Sequence, residues 1–312
     1  RRKRLGGENN MQKIIPHLWF DREAGEAVDF YCSLFPNSKV TNLTTLYNTP
    51  SDDADIVSFE LSGQSFMAIS AGPLFKFNPS VSFFVNFDRS RDRNAGERLE
   101  RLWEKLISGG VALMPLQQYP FSDLYGWAQD RYGLSWQLIL SNPQGQERPF
   151  LVPSLLFVGK VSGKAEEAFN FYLSVFRDSR PGNVARYGKG QEPDREGTIM
   201  YSDFMIENQW FAAMDSAYKH DFSFNEAISF MVNCDTQEEI DYYWERLSAV
   251  PEAEQCGWLK DRFGLSWQIV PAVMDGMMKN GSREQIDRVT QALLPMKKLD
   301  IEKLKEAYMR KN

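Results

Sequence analysis

Few residues in this chain could carry chemistry. There are two histidines, His17 and His220, and three cysteines, Cys32, Cys234 and Cys256, none in a CxxC spacing. His17 lies in an apolar run with β character, where an imidazole is either a polar lining group or an ordinary hydrogen-bonded residue. His220 sits in the polar segment Lys219-His220-Asp221 and is expected in solvent. Cys256, beside Gly257 and near Lys260, would be nucleophilic if its pKa were lowered; otherwise it packs at a rim. Cys32 and Cys234 read as small buried residues. So sparse and odd a cysteine set builds no disulfide framework and fits a reducing cytoplasm.

Bulk composition removes other classes of function. A net charge of −6 argues against a general nucleic-acid binder, because phosphate contacts need clustered Lys and Arg. The one basic cluster, Arg1 to Arg4, is expected to belong to a disordered leader or tag over residues 1–10, ahead of Met11. No stretch approaches the ~18–20 apolar residues that a membrane-spanning helix needs.

The elements that must position the candidates appear twice. Trp127-Ala128-Gln129-Asp130-Arg131-Tyr132-Gly133-Leu134-Ser135-Trp136-Gln137 returns as Trp258-Leu259-Lys260-Asp261-Arg262-Phe263-Gly264-Leu265-Ser266-Trp267-Gln268, with eight of eleven positions identical. Phe30-Tyr31 returns as Phe171-Tyr172, Ser82-Phe83 as Ser229-Phe230, and Pro16 as Pro153, all in the same order. The chain therefore divides into domains at 11–145 and 146–275, with a helical tail over 276–312. Within the first half, residues 14–20 read as a strand and 23–35 as a helix stopped by Pro36, followed by strands over 39–47, 56–61 and 65–70. The pattern restarts with a strand at 81–87 and a helix at 95–107, then strands at 112–117, 127–131 and 134–140. Each half is thus βαβββ twice over.

That doublet, with an Asp-x-x-Gly turn leading into its last strand, resembles the glyoxalase or vicinal-oxygen-chelate superfamily. The closer similarity is to its PhnB-like branch. It rests on Ile15-Pro16-His17-Leu18-Trp19-Phe20-Asp21, on Ala24-x-Glu26-Ala27 leading into Phe30-Tyr31, and on the motif from Cys256 to Gln268. The resemblance implies an α+β fold of tandem glyoxalase/bleomycin-resistance-like domains, each two βαβββ modules forming a curled mixed sheet around a cup. In catalytic relatives the cup holds a divalent metal on His, Gln and Glu side chains, and the metal acts as a Lewis acid. Relatives with one domain pair into dimers, which implies an intrachain pseudo-dimer here, with a homodimer of tandem chains as a further option.

Carried over residue by residue, the metal site is thin. Gln137 and Gln268 stand where metal-binding relatives carry Glu. Ala68 and Ala213 fall at a second ligand position, Ser82 and Ser229 at a third, and Ile15 and Val152 at a fourth. His17 and its counterpart Ser154 lie two residues further on. One imidazole with amides and hydroxyls is a poor donor set for Zn²⁺ or Ni²⁺, so no metal is expected, a divalent ion being the alternative. Asp215, the counterpart of Ser70, is the one carboxylate expected inside the second cup. Strand alternation sends Trp136 and Trp267 to the helix-facing core and the glutamines into the cups. Asp130 and Asp261 are expected to cap their turns. Tyr125 replaces Cys256 in the sister repeat, which favours packing over chemistry for that thiol.

The expected function is binding of a small molecule in the cup, without membrane or nucleic-acid partners. His17, Ser82 and Gln137 would line one cup, and Ser154, Asp215, Ser229 and Gln268 the other, with Cys256 at its rim. The alternative is a metal-dependent lyase, isomerase or dioxygenase of the vicinal-oxygen-chelate type; no catalytic residue is assigned. Relatives carry a ubiquinone-methyltransferase label, but the sequence has no Gly-x-Gly-x-Gly turn after a strand and no doubly wound order that would hold S-adenosylmethionine.

Overall fold

The computed structural model describes residues 11–141 and 147–310, so the expected leader at 1–10 lies outside it. The first module is β1 (Ile14–Phe20), α1 (Ala24–Leu34), β2 (Lys39–Thr49), β3 (Asp52–Leu61) and β4 (Gln64–Ser70). Ala24, Ala27, Val28 and Tyr31 form the buried stripe of α1; beyond it the backbone turns extended at Phe35, ahead of Pro36. The second is β5 (Val81–Asp88), α2 (Ala95–Ile107), β6 (Val111–Tyr119), β7 (Ser122–Gln129) and β8 (Ser135–Ser141). β7 ends earlier than the strand expected at 127–131, because Asp130 and Arg131 already belong to the turn. The third is β9 (Leu151–Phe157), α3 (Ala165–Val175), β10 (Arg180–Arg186), β11 (Ile199–Ile206) and β12 (Gln209–Asp215). The fourth is shorter: β13 (Ile228–Cys234), α4 (Gln237–Leu247), β14 (Trp258–Lys260) and β15 (Ser266–Pro271), with no counterpart of β6 among the described residues. Three helices follow, α5 (Val273–Asn280), α6 (Arg283–Leu293) and α7 (Ile301–Met309).

The strands form two curled mixed sheets, and each sheet takes one module from each repeat. The first runs β14-β15-β13-β1-β4-β3-β2 and the second β10-β11-β12-β9-β5-β8-β7-β6. The joins are antiparallel: β1 lies against β13 with His17 opposite Ser229, and β5 lies against β9 with Ser82 opposite Ser154. Each join satisfies the backbone groups that a lone module would leave on the open edge of its first strand.

Between sheets and helices the core is aromatic, and a carboxylate organises it in each repeat. Asp130 Oδ1 accepts from the backbone N–H of Tyr132 and Leu134, while Oδ2 accepts from Tyr31 Oη at 2.7 Å and Trp136 Nε1 at 2.9 Å. Asp261 repeats this with Phe263, Leu265, Tyr172 and Trp267. Trp136 and Trp267 are fully buried on the helix side of their sheets. Burial pushes both carboxyls upward in pKa, and the four hydrogen bonds oppose that push.

The tail closes the concave face of the first sheet. Met277, Val289, Leu299 and Leu304 pack there with Met231 and Val270, and Ile15 and Met67 join them from neighbouring strands. It also supplies hydrogen bonds that the missing strand would have made: Cys256 N–H donates to Met296 O and Gly257 N–H to Lys297 O, both at 2.7 Å. Gly257 has φ +86°, and a Cβ there would lie 3.1 Å from both Ile269 O and Leu299, so the tail can lie this close only beside glycine. A Ser282–Gln285 capping box starts α6, and Asp300 caps α7.

Removing a carboxylate hub should be severe. Asp261→Ala leaves a phenol, an indole and two backbone N–H groups buried without an acceptor, and urea denaturation should show a loss of at least ~3 kcal/mol. A loss below ~1 kcal/mol would mean that water or repacking replaces the hub.

Candidate functional site

Alternation along the strands decides which side chains enter the cups. On the second sheet Phe84, Tyr125, Val152, Trp210 and Ala212 pack together on the concave face, with Ile139, Tyr201 and Met214 against them. They border one end of a cavity of about 1310 Å³, which takes in Phe84, Gln137, Tyr201 and Asp203 and continues beside α1 and α2 past Phe35, Ala95 and Leu102. The equivalent face of the first sheet is filled by the tail.

The glutamines and serines meet as pairs. Gln137 Nε2 donates to Ser82 Oγ at 2.9 Å, and Gln268 Nε2 donates to Ser229 Oγ at 3.0 Å. Gln137 Oε1 also accepts from Tyr125 Oη at 2.5 Å, so both ends of that amide are engaged. The grouping expected from the repeat order needs correction, because the sheets join across the repeats. His17 keeps company with Ser229 and Gln268 beside the tail, and Ser154 with Ser82 and Gln137 in the open cup.

Asp215 is not in a cup. Trp210, Ala212 and Met214 take the concave positions of β12, which sends Asp215 to the helix side. There Oδ1 accepts from Ala165 N–H at 3.1 Å and Oδ2 from Ile199 N–H at 3.0 Å, fixing the start of α3. By the same alternation Ala68 and Ala213, expected at a ligand position, belong to the helix-side core. Met67 and Ala212 stand beside His17 and Ser154 instead. Cys256 Sγ donates to Leu294 O at 3.1 Å under the tail, and burial pushes its pKa up, so it has no thiolate character. His220 is partly buried, its Nε2 sharing a hydrogen bond of 2.9 Å with Ser216 Oγ.

His17 is 4% exposed, its Nδ1 has no partner among the described residues, and Trp258 meets the ring edge-on at 5.5 Å. Burial lowers its pKa to about 3, so the imidazole stays neutral at physiological pH. The donors do not fit the divalent metal of catalytic vicinal-oxygen-chelate proteins. The first cup offers one imidazole beside an amide already committed to a serine, and the second offers hydroxyls, an amide engaged at both ends and one carboxylate, Asp203, whose oxygens already take four donors. Neither supplies the imidazole, thiolate or carboxylate set that such ions favour. Among the described residues no three His, Cys, Asp or Glu side chains converge as a metal site.

One cluster in the open cup was not foreseen. Arg148 Nε and Nη2 donate to Asp203 at 2.8 and 3.1 Å, and its guanidinium carbon lies 3.7 Å from the Trp210 ring centre. Asp203 also accepts from Asn183 N–H at 2.7 Å and Tyr201 Oη at 3.1 Å. A signal was available: aligned strand by strand, Trp210 replaces Ser65 and Asp203 replaces Ser58, so the repeats differ at positions where one cup is filled and the other open.

A family model described as 3-demethylubiquinone-9 3-methyltransferase matches residues 12–139 and again 149–270. The chain belongs to this family. It is also similar to a family protein of known structure from Bacillus cereus, described as a putative 3-demethylubiquinone-9 3-methyltransferase, PhnB protein. Identity is 37% over 42% of this chain and 100% of that one, with a TM-score of 0.37. Glyoxalase I from Zea mays, at 12% identity, covers 87% of this chain and 97% of its own with a TM-score of 0.51, a likeness of fold. No curated protein matches the chain in sequence. The tandem family fold is therefore established.

The His17 environment makes a pH prediction. Its folded pKa lies below the ordinary value of 6.5, so protons bind preferentially to the unfolded chain and stability falls as pH drops below 6.5 towards about 3. From pH 7 to pH 5 the native protein should lose about 2 kcal/mol more than His17→Gln in urea titrations. Equal losses would mean that His17 is solvated or hydrogen-bonded.

Proposed function

We propose that the protein binds a small, planar, largely apolar molecule in the cup of the second sheet, without a metal ion. One observation carries this reading: of two curled sheets built alike, one has its concave face filled by the chain's own tail, and the other leaves its concave face open to a cavity of about 1310 Å³ that also runs on beside α1 and α2. The cup holds part of that volume, the rest lying beside α1 and α2, and ordinary small-molecule pockets span roughly 300–1,000 Å³. Tyr201, half-buried, and the edges of the more deeply buried Phe84, Tyr125 and Trp210 make this wall apolar, and its few polar atoms suit orienting a ligand better than attacking it. The alternative, a metal-dependent lyase, isomerase or dioxygenase, is disfavoured by the donor chemistry of both cups. Methyl transfer finds no support in βαβββ units, which lack a glycine-rich turn between a parallel strand and its helix. Each cup is completed within one chain, so the site needs no second copy, and the free cysteines suit the cytoplasm.

A thermal-shift screen of planar aromatic molecules should yield stabilising ligands. One present at 100 times its Kd adds about 2.7 kcal/mol to stability. Ile139→Trp, which fills the cup from its floor, should abolish the shift. A screen without hits, or hits indifferent to that substitution, would remove the reading.

Metal content tests the alternative. Protein equilibrated with Zn²⁺, Ni²⁺, Fe²⁺ and Mn²⁺ and then cleared of loose ions should retain far less than one ion per chain by elemental analysis. Near-stoichiometric metal that disappears in His17→Ala or Gln268→Ala would restore the enzyme.

A further inference from the structure

The hydrogen-bond directions around Tyr201 say what the ligand must bring. Asp203 is buried, and its carboxylate takes four donors: Arg148 Nε and Nη2, the Asn183 backbone N–H and Tyr201 Oη. A carboxylate has about four lone-pair sites, so this one is saturated and the phenol proton of Tyr201 is held towards it. The lone pairs of Tyr201 Oη are left over. Tyr201 is half-buried on the cavity wall, edge-on to Phe84 at 5.9 Å between ring centres, and among the described residues no donor reaches its oxygen. Burial, and then the neighbouring carboxylate, push the phenol pKa well above its usual value, so it is not an anion at any ordinary pH.

The arrangement is built rather than incidental. A Cβ on Gly182 would lie 2.1 Å from Asp203 Oδ1 and 2.8 Å from the Trp210 ring, so only glycine lets β10 close over the carboxylate and the indole. Tyr125 has also given its proton away, to Gln137, but it is 4% exposed and shielded by Phe121 and Tyr119. Of the two phenols, Tyr201 is the more exposed.

We propose that the ligand of the second cup is a planar aromatic molecule with an N–H or O–H donor, which Tyr201 Oη accepts while the ring lies against Tyr201 and Phe84. This rests on the small-molecule reading above and narrows it to donor-bearing rings. An acceptor oxygen at the same place would face lone pair to lone pair and be rejected.

Carbazole and dibenzofuran make the test, since they share one outline and differ in an N–H against a ring oxygen. Titrated by ligand-detected NMR, carbazole should bind native protein about tenfold or more tightly than dibenzofuran. Tyr201→Phe keeps the ring and leaves Asp203 three donors. It should bring the two compounds within about threefold while leaving dibenzofuran near its native affinity. Equal affinities in native protein, or a preference that survives Tyr201→Phe, would overturn the assignment and leave the small-molecule reading standing. If neither compound binds and the aromatic screen is also empty, the small-molecule reading itself falls.

Discussion

When β1 lies antiparallel to β13, and β5 to β9, two repeats that could each have closed on themselves are interlocked. His17 then faces Ser229, not Ser82, and each cup draws its walls from both halves of the chain. Every later feature follows from that exchange. The tail departs from β15, so it can reach across only the sheet that contains β15, and the other cup is left without a cover of this kind. The interrepeat segment carrying Arg148 enters beside β9 and delivers its guanidinium to the open cup.

The tail and the missing strand are two sides of one substitution. In the second sheet β6 pairs with β7, with Gln117 opposite Tyr125. In the first, the chain passes from α4 to β14 too quickly for such a strand, and the N–H groups of Cys256 and Gly257 find Met296 and Lys297 instead. A short module would otherwise expose both a sheet edge and an apolar concave face, and three helices, the last two of them capped, cover both. Methionines supply much of the contact, which suits a surface that must be filled without a repeating partner.

The sequence was most legible where periodicity and duplication coincide. The βαβββ order, the helix-facing tryptophans and the turn aspartates follow from alternation and from an eleven-residue motif that occurs twice. The partnership of the modules was not legible, because a strand edge is satisfied equally by either neighbour and nothing in β1 distinguishes β13 from β5. The misplacement of Asp215, Ala68 and Ala213 has another cause. On strands buried on both faces, apolar residues occupy successive positions, so the face turned to the cup cannot be read from polarity alone. Arg148 escaped notice because its partner, Asp203, lies 55 residues away.

The two repeats have diverged unevenly, and the pattern is physical. On the helix side Trp136 matches Trp267, Phe83 matches Phe230 and Tyr31 matches Tyr172, each tied to a carboxylate hub or packed beside one. On the concave side Ser82 and Gln137 still match Ser229 and Gln268, but Tyr125 corresponds to Cys256, Phe84 to Met231, Asp203 to Ser58 and Trp210 to Ser65. A helix-side change breaks a saturated hub and strands several buried donors, whereas a concave-side change alters only what fits against the sheet. The fold can therefore be held constant while its two cups part company. One has become smooth and methionine-lined to receive its own helices; the other has gained rings and a braced carboxylate that no element of the tail approaches. A wall assembled that way, with its polar atoms already oriented by Asp203 and Gln137, is preorganised for an occupant from outside the chain.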